Sequence, residues 1–245
     1  MIETKDLSKF FKDKKRGEIR AVDGVNFRCQ PGRIYGLLGA NGAGKTTTLR
    51  VLATILKPTS GTATVAGHDV TEEPEKVRAS VGFLSTATAL YARLTAKEMV
   101  EYFGRLHGMD EAALAKRIDE IFARLEMNEF RDRRCEKLST GMKQKVSIAR
   151  TLVHDPPVMI FDEPTVGLDV MTMRTIMTFI RECRQQGKTV IFSTHVMSEA
   201  EKLCDTIGII HNGRILSEGT LAELRARHQM LDLEDIFVHV VGDGK

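Results

Sequence analysis

The sequence has no run approaching the ~20 apolar residues that a membrane-spanning helix requires. Its first residues, Met1-Ile2-Glu3-Thr4-Lys5-Asp6, lack the apolar stretch of a secretory signal. Action at a membrane is therefore expected to need a second chain that does the spanning. Cysteine is scarce too. Cys29, Cys135, Cys183 and Cys204 form no C-x-x-C pair, and no histidine sits at zinc-ligand spacing. This argues against a zinc module and suits free thiols in a reducing cytoplasm. An excess of one charge is also missing, since 36 Lys and Arg against 33 Asp and Glu leave +3. So small a balance does not suggest a nucleic-acid coat, and no nucleic-acid partner is expected. The densest basic stretch, Lys9 to Arg20, is interrupted by Asp13 and Glu18 and reads as a solvated loop. Internal repeats and low-complexity segments are absent.

What is present is a 245-residue chain, 42% hydrophobic, enough for one large α/β domain with room for an inserted subdomain. Short β-type runs alternate with helical ones, which predicts a mostly parallel sheet flanked by helices. Ile34 to Leu38, Val158 to Phe161 and Thr189 to Ser193 read as buried strands. Lys45 to Leu56 follows the first of them as a helix. Ile207 to His211 and Arg214 to Leu216 flank Asn212-Gly213, a tight-hairpin signal. Helical periodicity fills Lys97 to Gly108, with Met99, Phe103 and Leu106 on one face. It resumes from Glu111 to Met127, with Leu114, Ile118, Ile121, Phe122 and Leu125 on another. No strand candidate falls between Thr95 and Val153. Residues 91–154 are therefore expected to form a helical subdomain inserted in an α/β core of residues 1–90 and 155–245.

Two motifs carry chemistry. Gly39-Ala40-Asn41-Gly42-Ala43-Gly44-Lys45-Thr46 fits G-x-x-x-x-G-K-[ST] between a strand and a helix, where a phosphate loop belongs. Its glycines let backbone N–H groups turn inward, and the helix that follows adds its positive end. Lys45 can reach β- and γ-phosphates, Thr46 offers a hydroxyl to Mg²⁺, and Thr47 adds a phosphate contact. Val158 to Glu163 is an apolar strand ending in two carboxylates. Asp162 is placed to hold Mg²⁺ through water. Glu163, one step on, is the candidate to orient and deprotonate an attacking water.

With these residues in view, the chain resembles the ABC ATPase family over nearly its whole length. Leu138-Ser139-Thr140-Gly141-Met142 resembles the family's signature motif, ahead of the Asp-Glu strand. Ser139 can also serve simply as an N-cap, and Gly141 allows close approach of a phosphate. The resemblance implies that Ser139 and Gly141 meet the γ-phosphate held by another subunit. ATP with Mg²⁺ would then be shared in a head-to-tail dimer, most simply a homodimer. Val166-Gly167-Leu168-Asp169 resembles the loop crossing that interface, with Asp169 its acidic residue. Ser193-Thr194-His195 resembles the switch histidine, so His195 is implied to contact γ-phosphate and position water. Phe11 stands near the position of an adenine-stacking aromatic, although Phe10 and Phe11 can equally form a two-ring core contact. The implied fold is a P-loop NTPase core, RecA-like and mostly parallel, with an N-terminal antiparallel β portion and the helical insertion.

Two positions depart from the family's pattern. Thr86 stands where Gln usually links Mg²⁺ and water to the membrane partner, and threonine is shorter. Thr140-Gly141-Met142 replaces Gly-Gly-Gln, so an orienting hydrogen bond is expected to be lost. Slow but real hydrolysis is the expectation. A single ATPase domain with neither coiled coil nor zinc module fits, by the resemblance, the motor of a transporter made from separate subunits, working with an integral-membrane permease subunit at the cytoplasmic face. The short tail with Leu231 to Phe237 makes export the expected direction. Leu231 to Phe237, His195 to Asp205 and Lys143-Gln144-Lys145 resemble sodium- and drug-exporter ATPases, which makes sodium a candidate cargo. Drugs, lipids or glycans are the alternatives, as is a non-transport clamp on a soluble or ribosomal partner.

Overall fold

The computed structural model describes residues 1–14, 17–85 and 89–243. Its centre is a six-stranded sheet of β3 (Ile34–Leu38), β6 (Val81–Ser85), β7 (Val158–Asp162), β8 (Thr189–Thr194), β9 (Thr206–His211) and β10 (Arg214–Gly219), in the order β10-β9-β3-β8-β7-β6. All neighbours are parallel except β9 and β10, which form the hairpin turned by Asn212 and Gly213. Both turn residues have positive φ, 47° and 78°, as a two-residue turn matching the strand twist demands. β3, β7 and β8 are buried at every residue, which explains their unbroken apolar runs.

An antiparallel sheet packs beside this one, ordered β2-β1-β4-β5, from β1 (Ile2–Asp13), β2 (Gly17–Cys29), β4 (Ser60–Val65) and β5 (His68–Asp69). Between the sheets lie Val25, Phe27, Tyr35, Leu37, Leu49 and Ile160. Phe27 stacks on Tyr35 with ring centroids 4.6 Å apart.

Helix α1 (Lys45–Leu52) is four residues shorter than its apolar pattern suggests. Thr54 adopts φ 59° just past the cap, and Lys57-Pro58 follows, so the chain leaves the helix before Leu56. α2 (Pro74–Ser80) leads into β6. α3 (Ala96–Leu106), α4 (Glu111–Arg124) and α5 (Thr140–Leu152) occupy the stretch without strands. α4 buries Leu114, Ile118, Ile121 and Phe122 on one stripe. α3 turns differently from its sequence pattern. It buries Ala96, Met99, Val100 and Gly104, while Leu106 is 63% exposed. The reason is close packing: the Leu114 side chain fills the space a Cβ on Gly104 would need, so α3 meets α4 along its glycine side. α6 (Val170–Gln185) and α7 (Met197–Leu203) flank β8, and α8 (Leu221–His228) and α9 (Leu233–Asp243) cover β9 and β10. Among the described residues no helix is long and apolar enough to cross a membrane.

Candidate active site

Parallel strands deliver their C-terminal ends to one edge, where open α/β sheets bind ligands. At that edge β8 lies between β3 and β7, with Leu38 opposite Thr194 and Asp162 opposite Ser193. The loop after β3 and the carboxylates after β7 therefore converge on the end of β8.

Within the loop, Gly42 and Gly44 have φ of 81° and 111°. At Gly44 the Ala21 carbonyl of β2 crowds the place of a Cβ, so backbone geometry and close approach both require glycine. The resulting cavity, about 140 Å³, is lined by Asn41, Gly42, Lys45, Thr46, Thr47 and Glu163 among others. Gly39, Ala40 and Ala43 complete the turn, with the Ala43 amide bonded to the Ala40 carbonyl at 3.2 Å. Lys45 is only 4% exposed. Its ammonium donates to the carbonyls of Gly39 at 2.7 Å and Ala40 at 3.1 Å, and lies 3.0 Å from Glu163 Oε1.

Asp162 is buried at the end of β7. Its Oδ1 accepts from the Thr46 hydroxyl at 3.1 Å and the Ser193 hydroxyl at 2.8 Å. A hydroxyl beside a carboxylate at the mouth of a phosphate loop is an oxygen donor set that fits a hard divalent cation. Glu163 takes φ 50°, a left-handed conformation costing a glutamate about 1–2 kcal/mol. That turn sends its carboxylate to Lys45 on one side and to His195 Nδ1, 3.3 Å away, on the other. The His195 contact is an ion-pair distance without a directed hydrogen bond. Burial alone would raise the Glu163 carboxyl, but Lys45 and then His195 outweigh it and hold it below the usual carboxylate range. The result is an ionised base beside the phosphate loop.

The signature region is built by capping. The Ser139 hydroxyl accepts the Met142 amide at 3.3 Å and starts α5. Asp169 caps α6, accepting the amides of Met171 at 3.0 Å and Thr172 at 2.9 Å and the Thr172 hydroxyl at 2.7 Å. The Thr172 amide and hydroxyl, helped by the Met171 amide, hold its carboxyl below the ordinary range. Gly141 faces Thr172, whose Oγ1 would lie 2.8 Å from a Cβ at that position. A second residue type at 141 therefore meets α6 before any ligand. Ser139, Gly141 and Thr172 open on a cleft of about 560 Å³.

Several site contributions escape a sequence reading. Met142 stands where a polar side chain was expected, yet Gln144, two residues on, donates to the Pro164 carbonyl at 2.8 Å. This bond ties α5 to the segment just after Glu163. Glu199, although charged, is buried and accepts the Thr194 hydroxyl at 2.7 Å. Thr194 in turn accepts the Val196 amide at 3.0 Å, so the pair frames His195 from both sides. Hydroxyl residues ending a buried strand, with a glutamate five positions on, are the signal that points to it. Phe11 lies on β1, 38% exposed, with the Lys9 ammonium 5.3 Å from its ring, and pairs with Ile19 of β2. Phe10 instead carries the Arg20 guanidinium at 4.9 Å. Thr86 lies outside the described residues.

A phosphate loop facing a strand-end carboxylate pair and a histidine, on a parallel sheet, defines a P-loop nucleoside triphosphatase. The family model described as ABC transporter matches residues 22–166, and the chain belongs to that family as one of its ATP-binding, ATP-hydrolysing members. It is 41% identical over 239 residues to the ABC transporter ATP-binding protein NatA of Bacillus subtilis (strain 168), covering 97% of each chain. It is 38% identical to the daunorubicin/doxorubicin resistance ATP-binding protein DrrA of Streptomyces peucetius, over 92% of this chain and 67% of that one. Among solved structures it resembles the dimeric post-hydrolysis state of the ATP-binding cassette MJ0796 bound to ADP and Pi. There the TM-score is 0.82 at 29% identity, covering 90% of this chain and 98% of that one.

Proposed function

We propose that this chain is the ATP-hydrolysing motor of an exporter. It would work as a head-to-tail homodimer bound to an integral-membrane permease at the cytoplasmic face, with sodium as cargo. The observation that carries the catalytic part is one sheet edge at which Glu163 lies within direct contact of Lys45 and His195 while the neighbouring Asp162 is bonded to Thr46. The export part is supported by likeness to a Nod factor export ATP-binding protein I of Paraburkholderia xenovorans (strain LB400), 41% identical over 91% of this chain and 74% of that one. The sodium part is supported by the exporter-like segments of the sequence.

Triphosphate enters where Gly42 to Thr47 present backbone N–H groups and the end of α1. Lys45 turns from Glu163 towards the β- and γ-phosphates, which carry more charge than one carboxylate. That exchange leaves Glu163 with a free acceptor oxygen for the water that attacks phosphorus, in line with the leaving oxygen. Glu163 takes the water's proton as the new P–O bond forms. His195, held by the Thr194–Glu199 pair, orients that water and the γ-phosphate. Thr46 and Asp162 would hold Mg²⁺, which would supply positive charge beside the phosphate oxygens. Ser139 and Gly141 close on the γ-phosphate bound by the other copy, and Asp169 braces the loop between them. Phe11 stacks on adenine. Cleavage removes the bridging phosphate and the halves reopen.

Intracellular sodium under salt stress tests the cargo. The chain is expressed with the membrane protein encoded beside it, as wild type and as Glu163→Gln. Lower sodium with the active motor alone supports sodium export. Equal sodium despite measurable ATPase activity rejects it in favour of drugs, of which the name of DrrA is one example, or of lipids or glycans.

A further inference from the structure

Ser193 is fully buried at the end of β8, between the metal-side carboxylate and the base. Its hydroxyl donates its one proton to Asp162 Oδ1 at 2.8 Å. The same oxygen accepts the backbone N–H of Glu163 at 3.1 Å, and that N–H is shared with the Ser193 carbonyl at 3.2 Å. Nothing in the function above uses this residue. A buried hydroxyl must find partners somewhere, and a bond to its own strand would satisfy it. Here it spans to β7 and binds the two consecutive residues that carry the chemistry.

We propose that Ser193 is a positioning residue for hydrolysis, one oxygen that sets both the orientation of Asp162 and the left-handed turn at Glu163. With Thr46 and Ser193 both donating to Oδ1, the Asp162 carboxylate is locked about its last torsion, and this orientation is the one in which it would hold a divalent cation. The second half of the bond pins the Glu163 amide onto β8. Only with that amide fixed does a glutamate at φ 50° aim its carboxylate between Lys45 and His195. Alanine, valine or any other apolar residue at 193 would preserve the strand and the carbonyl's share of the Glu163 amide, but would lose the bond to Asp162 and the hydroxyl's share of that amide together. The hydroxyl thus couples the metal position to the base position, so that a shift in one shifts the other.

This inference rests on the catalytic roles proposed for Asp162 and Glu163, and its test separates the two. Wild type, Ser193→Ala, Ser193→Thr and Glu163→Gln are compared for steady-state hydrolysis and for binding of a fluorescent ATP analogue with and without Mg²⁺. Thermal melts check folding. Ser193→Ala is expected to lower kcat roughly tenfold, the size of a lost hydrogen bond to a charged group, with KM for ATP changed less than about threefold. More Mg²⁺ is needed for half-maximal activity. Analogue binding without Mg²⁺ is unchanged, while its tightening by Mg²⁺ is reduced. Ser193→Thr retains the hydroxyl and recovers most of both. If its extra methyl group lowers the melting temperature, Ser193→Cys, of similar volume with a weak donor, gives an intermediate loss instead. Wild-type kcat and Mg²⁺ dependence in Ser193→Ala, alongside an inactive Glu163→Gln, overturn the positioning role alone. Equal losses of Mg²⁺-free and Mg²⁺-bound affinity also overturn it, since they mark general damage. Full activity in Glu163→Gln would remove the catalytic reading and this inference with it.

Discussion

The phosphate loop and the signature region are built to different degrees. At the phosphate loop, Glu163 touches both Lys45 and His195, and Asp162 beside it is held by the hydroxyls of Thr46 and Ser193. At the signature, Ser139 and Asp169 act within this chain as helix caps, and their surroundings are open. Val166, Val170 and Met171 beside Asp169 are exposed, Met171 at 70%. Apolar side chains around a capped helix start suit a surface that is completed by another molecule. One is a preorganised cluster, and the other is a capped platform with exposed apolar side chains beside it.

The sharpest way to break this comparison is at the phosphate loop. Glu163→Gln is expected to lower ATP turnover by about 100-fold or more while nucleotide still binds, since it removes the proposed general base and keeps the shape. A phosphate-release assay with an equilibrium binding control checks both halves. At the platform, Gly141→Ala pushes a Cβ into Thr172 and is expected to cost about 1–3 kcal/mol of stability by overpacking. Thr172→Ala clears the two closest atoms, so the double variant should recover most of the loss in a denaturant-melt cycle. Asp169→Ala removes the α6 cap and should cost about 1 kcal/mol, with Asp169→Asn retaining most of it in thermal melts.

A fourth test lies away from both regions. His154 stacks face to face on His107 with centroids 3.6 Å apart, in a cleft shared by α3, α5 and β6. Burial, and then the facing His107, push its imidazole down to about 4 from the ordinary 6.5, with Lys188 also opposing and Asp155 favouring the charge. The folded chain thus keeps His154 neutral in a range where the unfolded chain takes up a proton. Stability falls as pH drops from about 6.5 to about 4, by roughly 1 kcal/mol after solvent screening, and is level above that window. His154→Phe should flatten this slope in urea titrations at pH 7.5 and 5 without altering hydrolysis at neutral pH.

Much of the fold was legible because its signals are local. Buried parallel strands show as unbroken apolar runs, and Asn212-Gly213 marks its hairpin. The phosphate loop declares itself through glycines that only one backbone geometry needs. What was not legible depends on pairing across the sheet. The strand sequences alone give no register, so nothing marked Ser193 as the neighbour of Asp162 or Glu199 as the buried partner of Thr194. The face of α3 was misread because the glycine at 104, which periodicity counts as neutral, is where α4 comes closest. The exposed Leu106 then follows from geometry rather than composition. The Gln144–Pro164 bond was hidden for the same reason, since two residues so far apart in sequence are brought together only by the tertiary fold.

Mixed dimers test most directly whether the two unequal regions belong to one site in different chains. Ser139→Asp keeps the α5 cap but sets a negative charge against phosphate, and Glu163→Gln removes the base. Each variant alone is expected to be inactive. In a head-to-tail dimer, an equal mixture pairs the intact phosphate loop of one chain with the intact signature of the other. About a quarter of wild-type activity should then return if the chains mix at random. No recovery, in a mixture shown to form dimers, would mean that signature and phosphate loop act within one chain and would contradict the shared site.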